Sequence, residues 1–238
     1  MTNMHRGRFI VVEGLDGAGS STQVRALQRF LLSRRLRCDV TNEPSNGPFG
    51  AVIRQAIEGR VPISPRALAL AFAADRADHL DHVTIRKEAA VPSNAESAVW
   101  TANNTGINEK LSQGVWVICD RYVLSNLAYQ SSQGVDLDWL VEINKGITPP
   151  DATVLVRTPV EECLRRIQYR SSHLELFDDP GRLTSVWERF VRVIHLGKAE
   201  LLGHLIEVDG TAPVENITQD IIVHLSRYFV DELSPVCG

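Results

Sequence analysis

The order of elements near the N-terminus limits the fold more than any other feature of this chain. Residues 8–13 (RFIVVE) form a short, continuously apolar and β-branched run, which reads as a buried strand. GLDGAGSS follows at 14–21, and then residues 22–34 place Val24, Leu27, Leu31 and Leu32 on one side of a helix. Strand, glycine-rich turn and helix in that order are the context that the phosphate loop G-x-x-x-x-G-K-[ST] requires. Glycines let the backbone fold into a nest of inward-pointing N–H groups, and the helix N-terminus adds the positive end of its dipole. Gly14, Leu15, Asp16, Gly17, Ala18, Gly19, Ser20, Ser21 and Thr22 are therefore candidates for phosphate binding, with Ser21 at the hydroxyl position that ordinarily takes Mg2+. Ser20 stands where that motif has lysine. The plainer alternative is a glycine turn that merely joins two elements.

Residues 37–41 read as a second strand, and further apolar runs at 115–119 (VWVIC), 152–156 and 205–208 read as strands. Helical patterns alternate with them at 52–58, 67–82 (behind Pro65), 125–131, 136–145, 159–170, 183–202 and 214–229. Continuously apolar strands alternating with helices predict one α/β domain over 1–238, a five-stranded parallel sheet in three layers with helices on both faces. There is no internal repeat. Residues 87–108 are small, polar and without clean periodicity, and read as an exposed insertion between a helix and the strand it feeds. Asp120 closes VWVIC, the place for a carboxylate near Mg2+ at the carboxyl edge of the sheet, and Arg121 can reach a phosphate from the same edge.

The loop lysine would supply charge worth roughly 3–4 kcal/mol to a transferring phosphate, so fast transfer calls for a replacement cation. Arg166 and Arg170, one turn apart on the 159–170 helix, are the candidates; a solvated helix face is the alternative. Net charge of −4 and a pI near 6.0 argue against a large basic face for duplex nucleic acid. No apolar run approaches the ~18 residues of a membrane span, and MTNMHRGRF has no apolar signal core, which points to the cytoplasm. Cys38, Cys119, Cys163 and Cys237 are scattered without a C-x-x-C and read as reduced thiols. His79 and His82 lack a third ligand in spacing and read as surface or capping residues.

These segments resemble the thymidylate kinases, within the P-loop nucleoside monophosphate kinases, over nearly the whole chain. FIVVEGLDGAG-x-STQ is similar to the family's opening, with Ser20 for lysine. NEP at 42–44 with GAVIRQAI resembles its REP loop and helix, with Asn42 for arginine, and FAADRADHL at 72–80 resembles its nucleotide-base helix. DRYVLSNLAYQ at 120–130 is the most specific segment. PPDATVLVRTPVEECLRRI resembles the strand and helix PD-x-T-x-x-L-D-x-x-P-E, with Arg157 for aspartate, and HLELFDDPGRLTSVWERFVRVI resembles the lid, at about 171–184, and the helix after it.

The resemblance implies roles for particular residues. Asp16 would contact the nucleotide's 3'-hydroxyl and sit near the metal. Phe72 would stack on thymine, Arg76 would reach its O4, and Asn126 and Gln130 would hydrogen-bond around the base. Arg121 would hold the acceptor phosphate, and Tyr129 would crowd the 2' position against ribose. Core packing is the alternative for Phe72 and for Tyr129. Gly17 points to the branch of the family whose cationic help comes from the lid, here Arg166 or Arg170. The implied ligands are dTMP, ATP and Mg2+, the implied assembly is a homodimer, and the implied reaction is ATP plus dTMP giving ADP plus dTDP. Two alternatives remain: a kinase for another pyrimidine deoxynucleoside monophosphate, or a nucleotide-binding module without catalysis, for which Ser20 speaks.

Overall fold

Residues 6–81, 105–170, 180–197 and 199–233 are described by the structure, a computed structural model. Five strands form one parallel sheet in the order β2-β3-β1-β4-β5. They are β1 (Phe9–Glu13), β2 (Cys38–Asn42), β3 (Trp116–Asp120), β4 (Ala152–Arg157) and β5 (His204–Asp209). All five residues of β1 are buried, so helices cover both faces there, whereas the edge strand β5 alternates. The sheet is the one the sequence predicts.

Helix α1 (Ser20–Ser33) buries Val24, Leu27 and Leu31 against the sheet. Next come α2 (Pro48–Ile57) and α3 (Pro65–Leu80), which pack on each other. Pro65 occupies the first turn of α3, and the Ser64 hydroxyl accepts the Ala67 N–H at 3.3 Å, satisfying one of the free donors of the helix start. α5 (Val123–Ser132) follows β3 and is covered by α8 (Pro180–His195). The others are α4 (Ile107–Ser112), α6 (Leu137–Ile143), α7 (Val160–Arg170), α9 (Ala199–Leu202), α10 (Val214–Tyr228) and α11 (Val230–Leu233).

Three details differ from the sequence reading. Residues 82–104, and with them His82 and positions 87–104 of the expected insertion, lie outside the described set; Ile107, however, is buried with Leu111 one turn on and opens α4. The single helix expected at 183–202 is two, because Gly197 turns left-handed (φ 63°) between α8 and α9. Of the expected lid, 171–179 lie outside the described residues, and 180–184 form the first turn of α8 with Leu183 fully buried. Cys237 is also outside them, and Cys38, Cys119 and Cys163 are free thiols.

Candidate active site

The phosphate loop runs from β1 into α1 at the centre of the sheet. Two of its glycines are required by geometry. Gly17 has φ 80°, and a Cβ there would lie 2.4 Å from the Cys163 carbonyl oxygen of α7. Gly19 caps α1 in the left-handed region at φ 102°, where a side chain is strained. Ala18 N–H donates to the Leu15 carbonyl at 3.0 Å, which tightens the turn, while Ser20 is buried at the start of α1 and Ser21 is exposed.

Asp16 projects from this loop towards Arg121, at the end of β3. Arg121 Nη2 meets Asp16 Oδ1 at 2.5 Å, and Nη1 donates to the Gly14 carbonyl at 3.0 Å and the Ser125 hydroxyl at 3.2 Å. Its backbone is left-handed (φ 69°) although it is not glycine, and its N–H is fixed to the Val12 carbonyl at 2.9 Å. Backbone strain of this kind persists where surrounding structure enforces it, and here it aims a cation across the loop. Burial is the largest single influence and disfavours the Arg121 charge, but Asp16, Tyr129, Asp120 and Glu13 together outweigh it and hold the guanidinium above its usual pKa. The Tyr129 hydroxyl donates to Asp16 Oδ2 at 2.7 Å, and burial pushes that phenol up.

Beneath them Glu13, fully buried, ends β1. Its carboxylate accepts the Tyr122 N–H at 2.9 Å, the Ser125 N–H at 3.1 Å and the Ser125 hydroxyl. It thereby caps α5, the helix that carries the next residues of the site. Burial raises the Glu13 carboxyl pKa in spite of these hydrogen bonds and the nearby Arg121 charge.

A cavity of 270 Å3 opens between the loop, α2, α3 and α5. Asp16, Phe72, Arg121, Asn126, Tyr129 and Gln130 all line it. Asn126 Nδ2 donates to Gln130 Oε1 at 2.8 Å, which leaves Gln130 Nε2 buried and without a partner. A buried amide donor with nothing to meet carries a desolvation cost that a ligand acceptor would relieve. Phe72 is half-buried, packed on the Ile53, Ala56 and Leu68 cluster, and also lines the cavity. Tyr129 belongs to the buried core and also lines the same cavity.

Arg76 departs from what the resemblance implies. It is fully buried outside the cavity lining, with Nε and Nη2 donating to Glu43 Oε2 at 3.0 and 2.6 Å, and Nη1 donating to Asn126 Oδ1 at 3.2 Å and to Asn144 Oδ1. Its donors are used in holding the Glu43 loop against α5. Asp75 beside it accepts the Ser45 N–H at 2.7 Å and the Ser45 hydroxyl at 2.6 Å, fastening the same loop.

Glu43, Arg54 and Glu13 are residues that the sequence reading missed. Arg54 lines the cavity and donates to the Pro44 and Ser45 carbonyls at 3.1 and 2.6 Å. The signals were a lone cation in the apolar run GAVIRQAI and a lone acid ending an apolar strand.

On the opposite side of the loop a second cavity, of 410 Å3, is lined by Ala18, Gly19, Thr22, Arg166, Tyr169 and Gly210, among others. Arg166 is tied on three sides, to Glu162 Oε1 at 2.7 Å and to the Ala18 and Gly210 carbonyls at 3.1 and 3.0 Å. Arg170 ends α7, and its side chain lies outside the described residues. A third cleft holds Ser21 and Asp120 together, and Asp120 Oδ1 is buried without a partner. A hydroxyl, a carboxylate with a free oxygen and adjacent phosphate sites fit Mg2+, which takes few protein ligands and the rest from phosphate and water. Among the described residues no group of three His, Cys, Asp or Glu side chains forms a metal cage, and no helix is long and apolar enough to cross a membrane.

Comparison with known proteins agrees with this geometry. The family model "Thymidylate kinase" matches residues 12–91 and 95–221. The chain is 36% identical over 223 residues to a probable thymidylate kinase of Pyrococcus horikoshii, covering 91% of this chain and 95% of that one. It is 34% identical over 232 residues to a probable thymidylate kinase of Thermococcus kodakarensis, 94% of this chain and 100% of that one. A thymidylate kinase of Desulfotalea psychrophila is 30% identical over 221 residues, 93% and 95% of the two chains.

Proposed function

The chain belongs to the thymidylate kinase family and phosphorylates dTMP to dTDP, and on that premise we propose that ATP with Mg2+ is the donor and that the two cavities divide the nucleotides between them. One observation supports the division above the rest. A phosphate-gripping arginine, an aromatic face and an unpartnered amide donor share a single cavity that opens onto the phosphate loop. Phe72 offers thymine a stacking face, worth roughly 1–3 kcal/mol for a base. Gln130 Nε2 gives a base carbonyl its hydrogen bond, and Asn126 fixes the Gln130 amide. Arg121 holds the acceptor phosphate, and Asp16 serves both the 3'-hydroxyl and the metal side. Tyr129, pinned by Asp16, fills the space a 2'-hydroxyl would need. Arg76 acts through Glu43 and Asn126 as a positioning residue.

The donor's base lies in the second cavity, and its phosphates lie on the backbone of residues 14–22. Arg166, bonded to Ala18 and Gly210, steadies that wall. Ser21 and Asp120 are the groups that would hold Mg2+, which when bound neutralises and orients the donor phosphates. Transfer is then in line. An acceptor phosphate oxygen bonds to the γ-phosphorus while the bond to the β–γ bridging oxygen breaks, and the electron pair leaves with ADP. The protein contributes chiefly position and charge.

The cytoplasm and a homodimer complete the reading. A light-scattering mass near the 26.4 kDa of one chain would refute the dimer. The central test is a coupled ADP-release assay with dTMP, dUMP and the ribose form of thymidylate as acceptors. Turnover highest with dTMP is expected. A faster rate with dUMP would reassign the acceptor, and nucleotide binding without turnover would make the chain a binding module.

A further inference from the structure

Ser20 leaves the phosphate loop without the lysine of its motif, yet the transferring phosphoryl group still carries charge that the protein must meet. Five arginines of the described chain line the cavities that border the loop, and of these Arg54 is bonded to the Pro44 and Ser45 carbonyls and Arg165 to Glu162. Arg121 is committed to Asp16 and the Gly14 carbonyl on the acceptor side. Arg166 is committed to Glu162 and two carbonyls on the donor-base side. Arg25 is the fifth, and its situation is different. It is exposed on α1, and its guanidinium has no hydrogen bond or ion pair among the described residues.

Arg25 follows Ser21 by four residues. Helical side chains lean towards the helix N-terminus, so Arg25 covers the surface above Ser21, one turn back. Ser21, Arg25, Asn42, Asp120 and Arg121 line one cleft of 380 Å3 beside the loop. That cleft also contains the buried, unpartnered Asp120 Oδ1, the oxygen assigned above to Mg2+, so Arg25 shares its cleft with the groups that would hold the metal and, through it, the donor phosphates.

We propose that Arg25 is the cation that meets the transferring phosphoryl group in place of the loop lysine. This rests on the kinase reading above. As the acceptor oxygen bonds to the γ-phosphorus and the bridging oxygen departs with its electron pair, Arg25 donates N–H hydrogen bonds to the γ-phosphoryl oxygens and stays protonated throughout. A guanidinium suits this task because its planar fork can bind two phosphate oxygens at once. It reaches the group from the first turns of α1 on the metal side of the loop.

The test compares wild-type protein with Arg25→Ala, Arg29→Ala, Arg166→Ala and the double variant Ser20→Lys with Arg25→Ala. Turnover with ATP and dTMP is measured together with calorimetric affinity for ATP, and for ADP with aluminium fluoride and dTMP as a transition-state mimic. Arg25→Ala should lower kcat by about 10²-fold and weaken the mimic, with ATP affinity nearly unchanged, since the contact forms chiefly in the transition state. Arg29→Ala, one turn further along the same exposed helix, should leave both unchanged, and Ser20→Lys should restore much of the rate in the Arg25→Ala background. An active wild type with an equally active Arg25→Ala overturns the proposal and leaves the kinase reading intact. Loss of mimic affinity in Arg166→Ala but not in Arg25→Ala overturns it in favour of Arg166. A wild type without turnover overturns both.

Discussion

Removing the Glu43 carboxylate should destabilise this protein more than any single change at its surface. Arg76 is fully buried, the Glu43 side chain is 2% exposed, and two Arg76 N–H groups meet one Glu43 oxygen at 3.0 and 2.6 Å. Burial is the largest single influence and works against the Arg76 charge, and Glu43, with lesser help from Tyr122 and Glu13, more than restores it. In Glu43→Ala the guanidinium keeps only Asn126 and Asn144 as acceptors, neither of them charged. Leaving one member of a buried pair uncompensated costs about 3–5 kcal/mol, against a total stability of about 5–15 kcal/mol for a typical domain. At roughly 2–4 °C per kcal/mol for a chain of this size, Tm should fall by roughly 6–20 °C. Urea unfolding followed by circular dichroism gives the same quantity from the shift in midpoint at constant slope. Glu43→Gln, which retains an acceptor, should lose less. Replacing both partners by apolar residues, Glu43→Leu with Arg76→Met, should recover most of the loss, because the desolvation of two charges disappears with them. A cost for Glu43→Ala under about 1 kcal/mol would refute the reasoning, since that is the size of an exposed pair.

Phe72→Ala should weaken dTMP by the roughly 1–3 kcal/mol of a base-stacking contact and leave ATP affinity nearly untouched; calorimetry showing equal losses for both nucleotides would make Phe72 a packing residue. The Glu162 carboxyl is held down to about 2, against an ordinary 4.5, by hydrogen bonds from Arg165 and then Arg166. A carboxyl depressed in the folded state stabilises above its unfolded pKa, and this contribution fades as pH falls from 4.5 towards 2. Thermal melts should therefore show wild type losing more stability than Glu162→Gln between pH 5 and pH 3, with the gap narrowing at high salt, and parallel pH profiles would contradict the assignment.

The sheet was legible in the sequence because the central strands β1, β3 and β4 are short apolar runs bounded by turns, as covered strands are, while the edge strands β2 and β5 carry polar residues and were placed by the alternation with helices. The loop was legible for a similar reason, as glycines at 14, 17 and 19 fall between a strand and a helix. Arg76 was not. One sequence position cannot tell whether an arginine faces a ligand or a buried glutamate 33 residues earlier, and that glutamate, Glu43, lies in a loop whose course depends on Asp75. Arg166 is a comparable case, because its place on α7 was evident while its bonds to Ala18 and Gly210 depend on how two distant loops meet. The break at Gly197 was legible and overlooked, being a glycine just past a basic last turn.

The strand order has a consequence for how such a protein can change. From β1 the sheet extends one way through β3 to β2 and the other way through β4 to β5, and the loop stands at the fork. The cavity proposed for dTMP is built on the β2–β3 limb with α2, α3 and α5, and the one proposed for the donor on the β4–β5 limb with α7 and α10. Few side chains belong to both. The appetite for a new acceptor can thus drift by substitutions at Phe72, Asn126 or Gln130 while the donor limb is inherited intact. The fork itself, where Asp16 and Arg121 clasp across the loop, is the one place where a change must suit both tenants at once.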